Sequence, residues 1–179
     1  MTTPITQDDI ASLLISNTER VFSVMLGMCV TARTTRIDQD AQGQDGGVVA
    51  LVGFVGQWVG TGSVSCSSQM ACKLSSKMLL ADYPEVNEEV LDAMGEITNM
   101  IVGNFKDAAE PILGPMGLST PTVIYGDSFR TRNMNGKVWT TVPFECEGET
   151  IEVKICVEPS HESRIGSNAP TEVTGAECR

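Results

Sequence analysis

The chain has 179 residues, of which 41% are hydrophobic and 20% charged, so it can bury one ordinary hydrophobic core but not two large domains. Its 12 basic and 23 acidic residues give a net charge of −11, which repels phosphate backbones and anionic lipids and argues against nucleic-acid binding. No basic-then-apolar leader opens the sequence, and no run reaches the ~20 apolar residues that span a bilayer, so we expect a cytoplasmic protein without a membrane span.

A long amphipathic helix is predicted over residues 6–28. Its apolar residues recur at helical spacing, and Thr6, Asp8 and Asp9 suit an N-cap and the positive end of the helix dipole. The next stretch, residues 31–47, is rich in Gly, Gln and Asp. We expect a solvated loop there, because nothing in its pattern could build a core.

Two strands and a helix are predicted after this loop. Residues 48–67 are dense in Val with interspersed Gly, which indicates two strands that reverse near residues 59–62. Residues 67–81 then change to helical spacing, with Ser67 or Ser68 as the N-cap.

The second long helix is predicted to begin after the N-cap Asn87 and to end before Pro111. A constrained connection rich in Pro and Gly follows over residues 111–121. Three more strands are then predicted, over residues 122–126, 138–146 and 150–158. The chain is expected to reverse between the last two at residues 147–149. Residues 159–179 are expected to be a polar flexible tail. The sequence thus predicts one α+β domain over residues 1–158, with two long helices packed on a mainly antiparallel β-sheet.

Metal and cofactor sites are not indicated. The six cysteines contain no CxxC pair, and the single histidine, His161, lies in the polar tail, so a zinc site lacks ligands. Neither a GxxxxGK motif nor a GxGxxG motif between strand and helix is present, which argues against a nucleotide site. We therefore expect no metal and no cofactor of the protein's own.

An internal repeat relates the two long helices. Residues 15–27 align with residues 91–103 with hydrophobic residues matched at five positions and Gly27 opposite Gly103. A pseudo-twofold domain of two helix-plus-sheet halves follows from this alignment. The polar residues differ, because the first helix has Ser16, Arg20 and Ser23 where the second has an acid, a second acid and an amide.

The second helix carries a polar stripe. At about 100° per residue, Asp92, Glu96, Asn99 and Gly103 fall on one side of the helix, whereas Val90, Met94, Ile97, Ile101 and Phe105 form the opposite, core-facing side. A merely solvated face is the simpler interpretation, since Glu-x-x-Asn alone arises by chance. Two features oppose it: residues 87–105 contain no Lys or Arg, and the helix keeps two glycines, Gly95 and Gly103, which would let another surface approach closely.

With this stripe the sequence resembles the CheC/CheX class of chemotaxis phosphatases. The family signature is an acid or serine, a glutamate four residues later, an asparagine three residues after that, and a proline beyond the helix. Here these positions are Asp92, Glu96, Asn99 and Pro121. The resemblance spans about residues 6–158 and implies a CheC-like pseudo-twofold fold. A single intact motif makes the chain more similar to CheX than to CheC.

The resemblance also implies an activity. Proteins of this family remove the phosphoryl group from the aspartyl phosphate of a CheY-like receiver domain, where Mg²⁺ is expected in the receiver. Asn99 would hold the attacking water and Glu96 would pair with the receiver lysine. Asp92 would be a peripheral contact or helix support, Gly103 part of the partner-binding face, and Pro121 a structural residue that sets the strand entry. A homodimer joined through the sheet is implied as well.

Two other functions remain open from the sequence. A non-catalytic receiver-binding or flagellar-switch-type module would keep the docking surface without needing Asn99. An unrelated enzyme could use Asp92 and Glu96 as an acid/base pair, although two acids one turn apart on an exposed helix lack the opposed geometry around a substrate. The altered first helix is either a scaffold derived from a lost site or a surface for a regulator or second subunit.

Overall fold

The computed structural model describes residues 5–38, 46–129 and 137–160. The predicted tail lies outside the described residues except for Pro159 and Ser160, and Pro159 is the last residue of a strand. The helices are α1 (Gln7–Val21), continued by a π-helical turn (Phe22–Leu26), α2 (Ser68–Leu79) and α3 (Glu88–Leu113). The strands are β1 (Thr31–Ala32), β2 (Arg36–Asp38), β3 (Gly47–Gly56), β4 (Trp58–Cys66), β5 (Met116–Leu118), β6 (Thr122–Gly126), β7 (Trp139–Cys146) and β8 (Glu149–Pro159).

The eight strands form one antiparallel sheet with a symmetric order. The order is β1-β7-β8-β4-β3-β5, with β2 also on β7 and β6 also on β3. If β1, β2, β3 and β4 are exchanged with β5, β6, β7 and β8 respectively, the same order results when the sheet is read from its other edge. The sheet therefore has a pseudo-twofold axis between β4 and β8. The predicted α+β fold with an antiparallel sheet is confirmed, and the strand order agrees with two similar halves.

The three helices cover one face of this sheet, and α3 supplies the centre of the core. The predicted core side of α3 is fully buried; it consists of Val90, Met94, Ile97, Ile101 and Phe105. The predicted caps are also present, since the Ser67 hydroxyl accepts from the Met70 amide and the Asn87 side chain accepts from the Val90 amide, both at 3.0 Å. The position of α3 is therefore fixed along its whole buried side.

The predicted reversal at residues 59–62 is wrong. The β3–β4 turn lies at Gln57, and residues 59–62 are inside β4. Their glycines serve close packing: a Cβ on Gly60 would lie 1.9 Å from the Cys156 carbonyl oxygen, and one on Gly62 would lie 2.5 Å from Val102 Cγ2. The second of these contacts allows α3 to lie close against the sheet.

Three further predictions need correction. Residues 31–47 are not simply a loop, because β1 and β2 both pair with β7; residues 39–45 lie outside the described part. The connection after α3 contains the short strand β5. Finally, α3 does not end before Pro111 but continues to Leu113, which is 3% exposed. Burial of Leu113 and the bond from the Gly114 amide to the Glu110 carbonyl outweigh the hydrogen bond that proline removes.

Within the aligned segment, the first helix follows the repeat for about two turns, to Val21, and then departs from it. Leu26 is buried like its aligned partner Val102, but Met25 is 53% exposed, whereas its partner Ile101 is fully buried. The π-helical turn explains the difference, because its wider spacing rotates the residues relative to an α-helix.

Candidate functional site

The predicted stripe lies on the solvent side of α3. Asp92 and Glu96 are exposed, and Asn99 and Gly103 are half-buried. Within the described part of the chain, the side chains of Asp92, Glu96 and Asn99 make no hydrogen bond or ion pair. A carboxylate and an amide one turn apart are thus free to bind groups of another molecule.

The helix that carries the stripe is a rigid support. Its opposite side is packed against the sheet and α1, and the Thr98 hydroxyl, buried next to Asn99, donates to the Met94 carbonyl at 2.8 Å. Such burial limits how far the helix axis can move. The relative positions of Glu96 and Asn99 are therefore set before any partner arrives.

Pro121 flanks the stripe on one side. A Cβ added to Gly95 would lie 3.4 Å from Pro121 Cβ and 3.4 Å from Val123 Cγ2, so the proline ring at the entry to β6 rests against α3 at Gly95. The structural role of Pro121 stays a prediction. The placement of the proline ring corrects the interpretation of Gly95, which is buried by its own chain and offers no space to a partner.

Gly103 extends the stripe by one turn. A Cβ there would meet only Leu118 Cδ1, at 3.7 Å, which is an ordinary van der Waals distance. The glycine is therefore not required by the packing of the described residues. Its small size leaves a shallow surface next to Asn99, and its part in binding a partner stays a prediction.

The end of α2 flanks the stripe on its other side. A groove of about 530 Å³ lies between α2 and the first half of α3, and Asp92, Ala93 and Glu96 line it together with Met78 and Leu79. No pattern in the sequence indicates this groove. The apolar residues of α2 fit a core-facing pattern, and only the tertiary arrangement shows that the end of α2 borders the stripe.

A second cavity, of about 550 Å³, lies between α2 and the loop before α3 and includes none of the stripe residues. Its Lys73 Nζ lies 3.3 Å from Glu149 Oε1 and 3.7 Å from Glu147 Oε2. Burial raises the pKa of the Cys72 thiol at its wall. Lys73 of this cavity is thus held by two carboxylates, whereas the stripe side chains Asp92, Glu96 and Asn99 have no such partner in the described part of the chain.

The corresponding face of α1 does not repeat the site. The Ser16 hydroxyl donates to the Leu13 carbonyl and the Ser23 hydroxyl donates to the Arg20 carbonyl, so both are bonded within the helix. Arg20 is exposed. This face offers one cation and lacks the carboxylate and amide of the α3 stripe.

No cluster of three or more potential metal ligands occurs among residues 5–38, 46–129 and 137–160. In the same residues, no helix is long and apolar enough to cross a membrane.

The family model described as "Chemotaxis phosphatase CheX" matches residues 48–145, which include α3 and Pro121. No curated protein matches the sequence significantly.

Several solved structures share the fold. The chemotaxis protein CheX from Desulfovibrio desulfuricans is 28% identical, with a TM-score of 0.75 and coverage of 84% of this chain and 99% of that chain. CheX from Vibrio vulnificus is 26% identical, with the same TM-score and coverage. The CheX–CheY–BeF3–Mg²⁺ complex from Borrelia burgdorferi is 22% identical, with a TM-score of 0.67 and coverage of 84% and 98%. At this last identity the likeness concerns the fold alone.

Proposed function

Because this chain belongs to the CheX family of chemotaxis phosphatases, we propose that it hydrolyses the aspartyl phosphate of a CheY-like receiver domain with the α3 stripe. The observation that carries the proposal is the pair Glu96 and Asn99, one turn apart on a rigid helix and without partners in the described part of the chain. The CheX of Borrelia burgdorferi is in complex with CheY, BeF3 and Mg²⁺, which supports a receiver as the partner class.

Asn99 positions the nucleophilic water. Its amide both donates and accepts, so it can fix a water in line with phosphorus. Water then adds to phosphorus as the bond to the aspartyl oxygen breaks, which yields inorganic phosphate and the free carboxylate of the receiver. The loose transition state does not need a strong nucleophile, so no general base is required. The Mg²⁺ and lysine expected in the receiver would neutralise the phosphoryl oxygens.

Glu96 anchors the stripe in the receiver. An exposed carboxylate without an intramolecular partner does not have to break a bond within its own chain when it meets the receiver lysine. Asp92 is a peripheral contact, Gly103 allows close approach, and Pro121 holds the strand entry against α3. We also propose a cytoplasmic homodimer joined through sheet edges, which sedimentation at micromolar concentration tests.

Steady-state dephosphorylation of a phosphorylated receiver with Mg²⁺ tests the two roles separately. Asn99→Ala should lower kcat by about 100-fold while the affinity for a BeF3-loaded receiver is kept. A misplaced reacting group lowers the rate by about this factor. Glu96→Ala should weaken affinity and rate together. Matched controls away from the stripe are Asn104→Ala on another face of α3 and Glu19→Ala on α1, which should behave like the wild type. Full activity in Asn99→Ala would overturn the assignment.

A non-catalytic receiver-binding module is the second candidate. The same exposed stripe could dock on a receiver without catalysis, and binding with no phosphate release by the wild type would favour it. The acid/base alternative is disfavoured, because Asp92 and Glu96 are both exposed and lie on the same helix face, so they do not oppose each other across a bound substrate.

A further inference from the structure

The end of α2 bears a leucine whose conformation and exposure both oppose stability. Leu80 ends α2 with φ 53° and ψ 38°, a left-handed conformation in which glycine is the usual residue. The side chain is 93% exposed, so it contributes almost nothing to the core. Its neighbour Leu79 is 42% exposed and lines the groove beside the stripe. Single exposed leucines are common. A leucine that is exposed, in a left-handed conformation and next to an apolar groove is not explained by the stability of the fold.

The groove beside Leu80 is preformed. The Tyr83 amide donates to the Ser76 hydroxyl at 3.2 Å, and the Tyr83 hydroxyl donates to Glu89 Oε2 at 2.5 Å. The loop after α2 is thereby tied to both helices that border the groove. A partner can dock there without first ordering this wall, which lowers the entropic cost of binding.

The groove is continuous with the stripe and has a polarised rim. Its apolar wall comes from Met78, Leu79 and Ala93, and its α3 rim carries the carboxylates of Asp92 and Glu96. An occupant should therefore present an apolar side chain next to positive charge. A receiver held by Glu96 through its lysine brings positive charge to this rim.

We propose that Leu79, Leu80 and the groove between α2 and α3 form a second docking element for the receiver domain. This element binds an apolar side chain of the receiver at the edge of the receiver's phosphorylation site. The inference rests on the proposed function. In it, the end of α2 contributes to the affinity for the receiver, whereas Asn99 alone positions the water. The end of α2 then determines which receivers are bound tightly.

Leu80→Gly is the decisive variant, because it relieves the left-handed strain while it removes the docking side chain. We expect the Tm to rise or stay unchanged, and KM for the phosphorylated receiver and Kd for its BeF3-loaded form to rise about tenfold, the scale for burying a leucine. The kcat should change by about twofold or less. A residue with only a local structural role would change Tm without changing KM.

Leu79→Ser and Ile112→Ser provide a matched pair, since both residues are 42% exposed and Ile112 lies in the last turn of α3. Only Leu79→Ser should raise KM. Unchanged KM in Leu80→Gly and Leu79→Ser, with an active wild type, would overturn the docking element and leave the proposed function intact. A changed oligomeric state without a changed receiver affinity would overturn it as well. An inactive wild type that does not bind the receiver would overturn both.

Discussion

Gly103→Ala separates what the fold needs from what the partner needs. A glycine inside a helix costs about 0.5–1 kcal/mol relative to alanine. The new methyl group would meet only Leu118 Cδ1, at 3.7 Å, so no clash offsets the gain in helix propensity. We expect the free energy of unfolding to rise by about 0.5–1 kcal/mol and the Tm by about 1–4 °C. Activity should fall, because the methyl group projects from the stripe that we propose to contact the receiver.

Urea denaturation measures the expected gain in stability of Gly103→Ala, and receiver dephosphorylation measures its expected loss of activity. An added methyl group that shifts the receiver by a fraction of an ångström should lower kcat/KM on the order of tenfold, since displacements of about 1 Å cost up to ~100-fold. Gly95→Ala is the control, because its Cβ would face Pro121 and Val123 of the same chain. A stabilised and fully active Gly103→Ala would refute the close approach at Gly103. A destabilised variant would refute the packing argument.

Three other predictions concern stability and reactivity. Burial alone would raise the pKa of Glu152, but hydrogen bonds from basic side chains, Lys154 among them, lower it below its ordinary 4.5. The stability it contributes is present above about pH 4.5 and is lost as the pH falls through the lowered pKa, so urea midpoints of the wild type and Glu152→Gln should differ at pH 7 and converge in acid. Phe105→Ala removes a fully buried ring and should lower the free energy of unfolding by about 3–5 kcal/mol in urea titrations. Burial raises the pKa of the Cys66 thiol to about 12, so iodoacetamide at pH 8 should modify the exposed Cys29 and leave Cys66 intact in peptide mass spectra.

The helices could be predicted where local signals and burial agree. Asn87 caps α3 as expected, and the spacing from Val90 to Phe105 correctly identified its core side, because helix periodicity is set by residues close in sequence. Pro111 was misleading. Its preference for ending a helix is a local effect, and the burial of Leu113 against the core outweighs it.

The strands depended more on contacts distant in sequence. β1 and β2 exist because β7, more than 100 residues later, supplies their partners, and their own polar composition gave no sign of pairing. The turn after β3 was misplaced for a related reason. The glycines at 60 and 62 suggested a reversal, but they are there to admit Cys156 and Val102.

The stripe itself was predictable because four residues on one helix face share a backbone element. Its surroundings were not. Gly95 was interpreted as space for a partner, although Pro121 fills it, and the groove at Leu79 depends on how α2 meets α3. These are tertiary contacts between residues more than ten positions apart in sequence, which periodicity does not report.

The central claim is that Asn99 positions the water that attacks the receiver's phosphoryl group. Single-turnover loss of phosphate from a phosphorylated receiver with Mg²⁺, measured with this protein in saturating excess, isolates that step from binding. We expect strong acceleration by the wild type and a rate close to that of the receiver alone for Asn99→Ala, with binding retained. Equal acceleration by both proteins would contradict it.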